Sequence, residues 1–229
     1  MSGEREERAD RVLQDQIRYY RERAPEYDAT ATPVIDSLAP QGHALRAALR
    51  AFAPRGRVVE FACGTGLYTV DLLPFADEIT AIDASPEMLQ LARARITSPK
   101  VRFVEADVFS WSPDRRYDVA FFSFWLSHVP PSHFERFWDV VASSLAPEGR
   151  VFFMDEGRHS PWPGEEDYVD EAAGVVRRQL KDGSEHRAIK VFRNVEDLEA
   201  RLRDLGWVVE CHSTGALYWG QSRRRKDGP

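Results

Sequence analysis

The sequence predicts a doubly wound α/β fold on a mostly parallel sheet, and three observations carry that expectation. From about residue 57 onward, short apolar runs alternate with longer amphipathic stretches, the pattern of βαβ units. The run Tyr117–Ser123 is almost wholly apolar, as a strand covered by helices on both faces must be. Arg57–Phe61 feeds directly into a glycine turn and an amphipathic stretch, the strand–turn–helix unit of nucleotide-binding sheets. A chain of 229 residues suits one such domain, 1–229.

Residues 7–24 read as a polar helix with a stripe of Val12, Leu13, Ile17 and Tyr20, ended by Pro25. Residues 42–53 read as a second helix carrying Leu45, Leu49 and Phe52, so that 1–53 forms a helical cover. After the first strand, a helix runs through Leu73 and Glu78–Ile82 is the second strand. Ser85 fits an N-cap and Pro86 the first helical position of a helix reaching Ile96. Val101–Glu105 and Tyr117–Ser123 are the third and fourth strands. Pro131 opens a helix that stops at Pro147-Glu148-Gly149, and Arg150–Met154 is the fifth strand. The rhythm then breaks: 156–168 reads as a long loop, followed by a helix and a hairpin around Lys181-Asp182-Gly183, so 156–192 is an insertion. A helix at Val195–Leu205, between Asn194 and Gly206, resumes the core with closing strands Trp207–Ser213 and Ala216–Gln221. The core is thus 54–155 and 193–222.

Composition excludes several classes. Thirty-one basic against 37 acidic residues give a net charge of −6, which argues against a nucleic-acid partner, since tracking phosphates needs a positive field. Lysine occurs only at 100, 181, 190 and 226, an imbalance we ascribe to codon usage. No apolar run approaches the roughly 20 residues of a membrane helix, and the charged start MSGEREERADR lacks the apolar stretch of a secretion signal. Cys63 and Cys211 form no CxxC or Cys/His cluster, so neither a disulfide scaffold nor a structural zinc is expected and a cytoplasmic setting fits.

The chemistry concentrates in VVEFACGTGLYTVDLL. Gly64 and Gly66 permit a tight turn and close approach of a ligand, and the following helix start offers unpaired N–H groups. Glu60 ends the first strand, Asp83 the second, and Asp107 follows the third. A carboxylate at Asp83 suits the two hydroxyls of a ribose. A glycine turn is often only a connection and Asp83 could simply cap the next helix; the three acids together at one sheet edge favour a nucleoside cradle.

The pattern E-x-A-C-G-T-G resembles the first motif of class I S-adenosylmethionine-dependent methyltransferases. AIDASPEML and VEADVF resemble the next two motifs, YDVAFFSFWLSHV and LAPEGRVFFMDE the fourth- and fifth-strand motifs, and WVVECHS with LYWG the closing hairpin. The likeness spans about residues 50–220. It implies a seven-stranded Rossmann-like sheet with an antiparallel closing strand, an N-terminal helical lid, and S-adenosylmethionine as cofactor with S-adenosylhomocysteine as its product. The cofactor residues it implies are Glu60, on the ammonium of the methionine end, with Ala62, Gly64 and Gly66; Asp83 on ribose, with Ala84 and Met88; Asp107 and Val108 at adenine; Ser123; and Tyr20 and Tyr27 from the lid. Ala62 stands where the family often has glycine.

A nicotinamide-dependent oxidoreductase is the competing reading, but A-C-G-T-G-L lacks the GxGxxG loop and no tyrosine is followed four residues later by lysine. A second alternative is a protein that binds the cofactor without catalysis, as sensor or partner subunit. The donor carries its own electrophile, so alignment of an acceptor is the main demand on the protein. His128, just past the fourth strand, is the candidate catalytic base, or else a histidine bonded to backbone. His128 with Tyr19, Phe124, Trp125, Trp162 and Tyr168 is expected to line the pocket of a small, partly planar or apolar acceptor, methylated on oxygen or nitrogen. Asp155 and Glu156 lack the further ligands a Mg²⁺ site would need, so no metal is expected.

Overall fold

Three helices precede the first strand in the computed structural model, which describes residues 2–157 and 167–225. They are α1 (Ser2–Arg23), α2 (Tyr27–Ser37) and α3 (Ala39–Phe52). The main sheet then alternates strand and helix: β1 (Gly56–Phe61), α4 (Thr69–Leu72), β2 (Ala76–Asp83), α5 (Pro86–Arg95), β3 (Val101–Glu105), β4 (Tyr117–Ser123), α6 (Phe134–Ser144) and β5 (Leu145–Glu156). A separate antiparallel sheet holds β6 (Tyr168–Asp170), β7 (Val175–Gln179) and β8 (Glu185–Ile189). The chain returns through α7 (Val195–Asp204) to β9 (Trp207–Ser213) and β10 (Leu217–Arg224).

The seven-stranded sheet has the order β3-β2-β1-β4-β5-β10-β9. Pairings among β1 to β5 are parallel, and β10 runs antiparallel to both β5 and β9. Because side chains alternate along each strand, neighbours serve opposite faces. Val59, Phe122 and Phe153 join Phe137, Trp138 and Leu202 under α6 and α7, whereas Val58, Phe121 and Phe152 join Leu45, Leu49 and Leu89 under α3 and α5. Both faces are therefore buried, which is why β1 and β4 read as continuous apolar runs. Local signals start two of the helices as expected. Ser85 Oγ accepts from Met88 N at 3.1 Å, and Asn194 Oδ1 accepts from Glu196 N and Asp197 N.

Several expectations need correction. Residues 27–37 are helical, although no helix was expected there; Pro25 ends α1 only through a single 3-10 turn, after which the chain winds on. The helix after the glycine turn is just Thr69–Leu72. Strand β5 begins at Leu145, which pairs with Tyr117, so Pro147-Glu148-Gly149 lies inside an irregular strand start rather than between a helix and a strand. No helix occurs among the described residues of the insertion; Tyr168–Asp170 is a third strand beside the expected hairpin. Residues 158–166 of the expected loop lie outside the described residues. Among the described residues no helix is long and apolar enough to cross a membrane.

Gly220 shows how tightly the sheet is covered. A Cβ there would stand 2.3 Å from Phe153 Cζ and 2.8 Å from Cys211 Sγ. Phe153 has no room to yield, being stacked on Phe122 at 5.5 Å and edge-on to Trp138 at 5.9 Å. Gly220→Ala is expected to cost about 1–3 kcal/mol through overpacking, read as a lower urea midpoint at unchanged slope; an unchanged midpoint would contradict this packing.

Candidate active site

The crevice lies where the strand order reverses, between the C-terminal ends of β1 and β4, the position at which open α/β sheets bind ligands. Beyond β1 the backbone takes left-handed values at Ala62 (φ 52°), Gly64 (φ 54°) and Gly66 (φ 76°). Alanine in that region carries strain that glycine would not. Asp83 braces the turn: its Oδ2 accepts from Gly64 N at 2.8 Å and its Oδ1 from Ser85 N at 2.9 Å. Burial pushes the Asp83 carboxyl up to about 6, against the lowering pull of the Ser85, Gly64 and Ala84 amides. Asp107 occupies the equivalent place after β3, its Oδ1 accepting from Phe109 N at 3.0 Å.

Glu60 sits behind the loop, 1% exposed, and neither carboxylate oxygen has a hydrogen-bond partner among the described residues. Burial pushes its carboxyl up to about 8; the nearby Thr69 hydroxyl opposes that rise without reaching hydrogen-bonding geometry, and Asp83 and Asp71 add to it. A buried acid with two open oxygens is costly unless a cationic donor completes it. Glycine turn, strand-end acids and this orphaned carboxylate together fit a nucleoside carrying an ammonium tail.

Helix α1 roofs the crevice. Leu13, Gln16, Ile17 and Tyr20 form one helical stripe over a cavity of about 120 Å³, whose floor includes Gly64, Asp83, Met88, Asp107 and Val108. The start of α2 is tied to the same loop: Thr65 Oγ1 donates to Asp28 Oδ1 at 2.9 Å, and Arg95 bonds both Asp28 and Thr65. Arg21 reaches down to Ala84 O at 3.2 Å.

The far wall comes from the end of β4. Phe124 is left-handed at φ 51°, unusual for a bulky residue, and stacks on Tyr68 at 5.5 Å. His128 Nδ1 lies 2.7 Å from Ile189 O; a carbonyl only accepts, so Nδ1 carries the proton and Nε2 accepts from Tyr20 OH at 3.1 Å. Burial, with the Lys190 charge adding to it, holds the His128 pKa well below its ordinary value, so the ring is neutral.

A second cavity of about 70 Å³ shares Tyr20, Tyr27, Tyr68, Phe124 and His128 with the first, and adds Arg23, Arg178, Lys190 and Glu156. Lys190 is 1% exposed, ion-paired to Glu156 and 3.5 Å from Ser127 Oγ. Burial pulls its ammonium down from the usual range, Asp155 opposing. Arg23 lies over the Tyr27 ring at 4.7 Å.

Of the residues singled out from sequence, Tyr20, Tyr27, Ala62, Gly64, Asp83 and Ala84 line the first cavity. So do Met88, Asp107, Val108, Ser123, Phe124, Trp125 and His128. Gly66 and Glu60 do not: a Cβ at Gly66 would press on Ile96 and Ala92, so it serves the packing of α5, and Glu60 is buried behind the turn, off both cavities. Tyr19 and Tyr168 also lie off both cavities, since Tyr19 is buried against Val176 and Leu180 and Tyr168 packs beside them, its hydroxyl donating to Lys190 O at 3.4 Å. Trp162 lies outside the described residues. Sequence reasoning missed Gln16, Tyr68 and the cations Arg23, Arg178 and Lys190; the helical spacing of 13, 16, 17 and 20 was the available signal for Gln16 alone. Among the described residues no three His, Cys, Asp or Glu side chains gather as a metal site would require.

Glu60 is expected to make donor binding pH-dependent. Below pH 8 its free carboxyl holds a proton that an ammonium bound against it would displace, because an ion pair favours the carboxylate. S-adenosylhomocysteine should therefore release a proton on binding at pH 7 and bind more tightly from pH 6 to 8, by up to about tenfold per unit. Calorimetry in two buffers of different ionisation enthalpy measures that proton. Glu60→Gln should abolish its release, and a wild-type titration without proton release would overturn the assignment.

The methyltransferase-domain family matches residues 58–149. DhpI in its complex with SAH is 40% identical, with 94% of this chain and 98% of that chain covered at a TM-score of 0.82. The DhpI complex with SAM and HEP gives 41% identity over 93% and 97%, also at 0.82. Trans-aconitate 2-methyltransferase of Escherichia coli O139:H28 is 39% identical over 94 residues, 40% of this chain; the match spans 36% of that relative's length. With an orphaned acid, a braced glycine turn and near-complete coverage of a relative crystallised with this cofactor, the chain belongs to the class I S-adenosylmethionine-dependent methyltransferases.

Proposed function

We propose that the chain transfers the methyl group of S-adenosylmethionine to an oxygen of a small anionic metabolite seated in the second cavity. The observation that carries this reading is charge. In a chain of net −6, the cavity beside the donor site gathers Arg23, Arg178 and Lys190, with Glu156 in its lining and Asp155 close enough to act on Lys190. Such an excess of enclosed cations is favourable once an anion neutralises it. Trans-aconitate, named for the curated relatives, is a polycarboxylate and so of this type. The cations support an anionic acceptor over an apolar one, and with it oxygen over nitrogen as the nucleophile. Unpaired thiols at Cys63 and Cys211 suit a cytoplasmic setting.

The bound donor supplies a sulfonium methyl. The new O–CH₃ bond forms as S–CH₃ breaks, the electron pair stays on sulfur, and the acceptor loses one negative charge. Protein groups hold the acceptor by one anionic end at the cations and turn an oxygen toward the wall shared by both cavities, where Tyr20, Phe124 and His128 stand. The α1 roof excludes water from that wall. An anionic oxygen needs no general base, and the Nε2 lone pair of His128 is already committed to Tyr20; His128 thereby orients Tyr20 at the junction.

The test is a panel of small carboxylates, phosphates and neutral alcohols incubated with labelled donor. Methylation of anions alone is expected. Arg178→Gln and Lys190→Met should each raise the KM of an active acid about ten- to a hundredfold, the worth of one charge-assisted hydrogen bond, while S-adenosylhomocysteine affinity stays within about twofold. Turnover of neutral acceptors only, or unchanged KM in both variants, would sink the reading. Tight donor binding with no transfer to any acceptor would favour a binding protein instead.

A further inference from the structure

Gln16 lies on the buried stripe of α1 that roofs the first cavity beside Leu13, Ile17 and Tyr20, and it is 3% exposed. An amide on such a face is costly unless both its ends are satisfied. Both are. Its Oε1 accepts from Ile189 N at 2.8 Å, and its Nε2 donates to His128 O at 3.3 Å. The His128 ring closes the circuit by donating from Nδ1 to Ile189 O at 2.7 Å. Three segments far apart in sequence thus meet in one ring of hydrogen bonds: the roof helix, the turn after β4 and the end of β8.

The neighbours of this ring are the groups that face the two cavities. Tyr20 and Arg23 follow Gln16 at i+4 and i+7, so they share its helical face. Lys190 follows Ile189, and Val191 N donates to Ser127 O at 2.8 Å, tying the same two segments one residue further on. A slip of α1 by one residue would rotate Tyr20 away from His128 and Arg23 out of the second cavity. The apolar contacts of α1 do not forbid such a slip by themselves, because hydrophobic packing is non-directional. The paired donor and acceptor of one amide do forbid it.

We propose that Gln16 is a positioning residue: it locks the roof helix in register with both the His128 turn and β8, so that donor binding beneath the roof and assembly of the acceptor wall are one event. The plain alternative is that Gln16 merely satisfies the Ile189 amide. The two differ in what happens to donor binding, because Gln16 touches the donor cavity wall but is not among the acids or glycines that hold the cofactor. The inference rests on donor binding and not on the acceptor class, so it stands or falls separately from the anion reading.

The experiment compares the intact wild-type chain with Gln16→Leu, Gln16→Glu and Val209→Ala, using S-adenosylhomocysteine as probe. Val209 is buried on β9 at the far edge of the sheet and serves as a stability control. Calorimetry gives affinity, thermal unfolding gives Tm, and hydrogen exchange follows residues 8–23 and the Ile189 amide with and without the probe. Gln16→Leu should weaken binding about tenfold or more, as loss of a buried amide's two partners implies, and should remove the probe-induced protection of 8–23. Gln16→Glu keeps the acceptor for Ile189 N, so it should restore protection of that amide while donor affinity stays reduced. Val209→Ala should lower Tm with affinity unchanged within about twofold. Wild-type affinity in Gln16→Leu despite loss of Ile189 protection would overturn the proposal. So would an equal loss of affinity in Val209→Ala at matched Tm, or full recovery of affinity in Gln16→Glu.

Discussion

The reversal of strand order between β1 and β4 is the constraint on which the rest of the molecule depends. Connections from these two adjacent parallel strands leave toward opposite flanks of the sheet, so neither connection fills the gap at their carboxyl ends, and α1, from outside the βαβ units, covers it. The backbone registers that divergence. Of the three left-handed non-glycine residues among those described, Ala53, Ala62 and Phe124, the last two stand at the ends of β1 and β4. Each turns its strand sharply aside, and each lines the cavity so formed. The strain is held by what surrounds it: Cys63 N donates to Ile82 O at 2.9 Å, and Phe124 N to Met154 O at 2.8 Å. A crevice created by topology is thus kept open by fixed hydrogen bonds and is ready before any ligand arrives.

Charge follows the same division. Carboxylates gather on the β1–β2–β3 side, where Glu60, Asp83 and Asp107 end or follow successive strands. Cations gather on the other side, where Arg23, Arg178 and Lys190 converge from α1, β7 and the end of β8. The donor carries positive charge and hydroxyls suited to the first side, and the proposed anionic acceptor carries negative charge suited to the second. Electrostatic complementarity of this kind orients both reactants before they touch. The net charge of −6 carries no trace of it, because surface residues outnumber these six.

What the sequence disclosed, and what it did not, follows from distance along the chain. Strands with period-two or continuous apolar patterns, the Ser85 and Asn194 caps and the glycine turn are local signals, and each marks an element the structure contains. Helix α2 was illegible because Tyr-Asp-Ala-Thr-Ala-Thr-Pro has no apolar stripe and a proline in its midst. The start of β5 was hidden by Pro147 and Gly149, residues that read as a stop although the edge of the strand tolerates them. The donor half of the site was legible for the same local reason, since its acids sit at strand ends. The acceptor half was not. Its cations are 155 or more residues from Arg23 to Arg178 and Lys190, in an arginine-rich chain where no single one stands out, and only the docking of the small sheet on α1 brings them together.

His128 connects the two halves, and its protonation decides which chemistry they share. As a base for a neutral hydroxyl it would need a free lone pair near the acceptor and a pKa close to working pH. It has neither. Ile189 O fixes the proton on Nδ1, Tyr20 occupies Nε2, and burial, with the Lys190 charge, holds the ring's pKa well below its ordinary value. Protonating it would place a third positive charge beside Lys190 and Arg23, which the same geometry penalises. A histidine held neutral with both ring nitrogens engaged, among cations, is what the proposed ionised acceptor calls for. The cations of the wall thus act twice, lowering the basicity of His128 and supporting the proposed anionic acceptor.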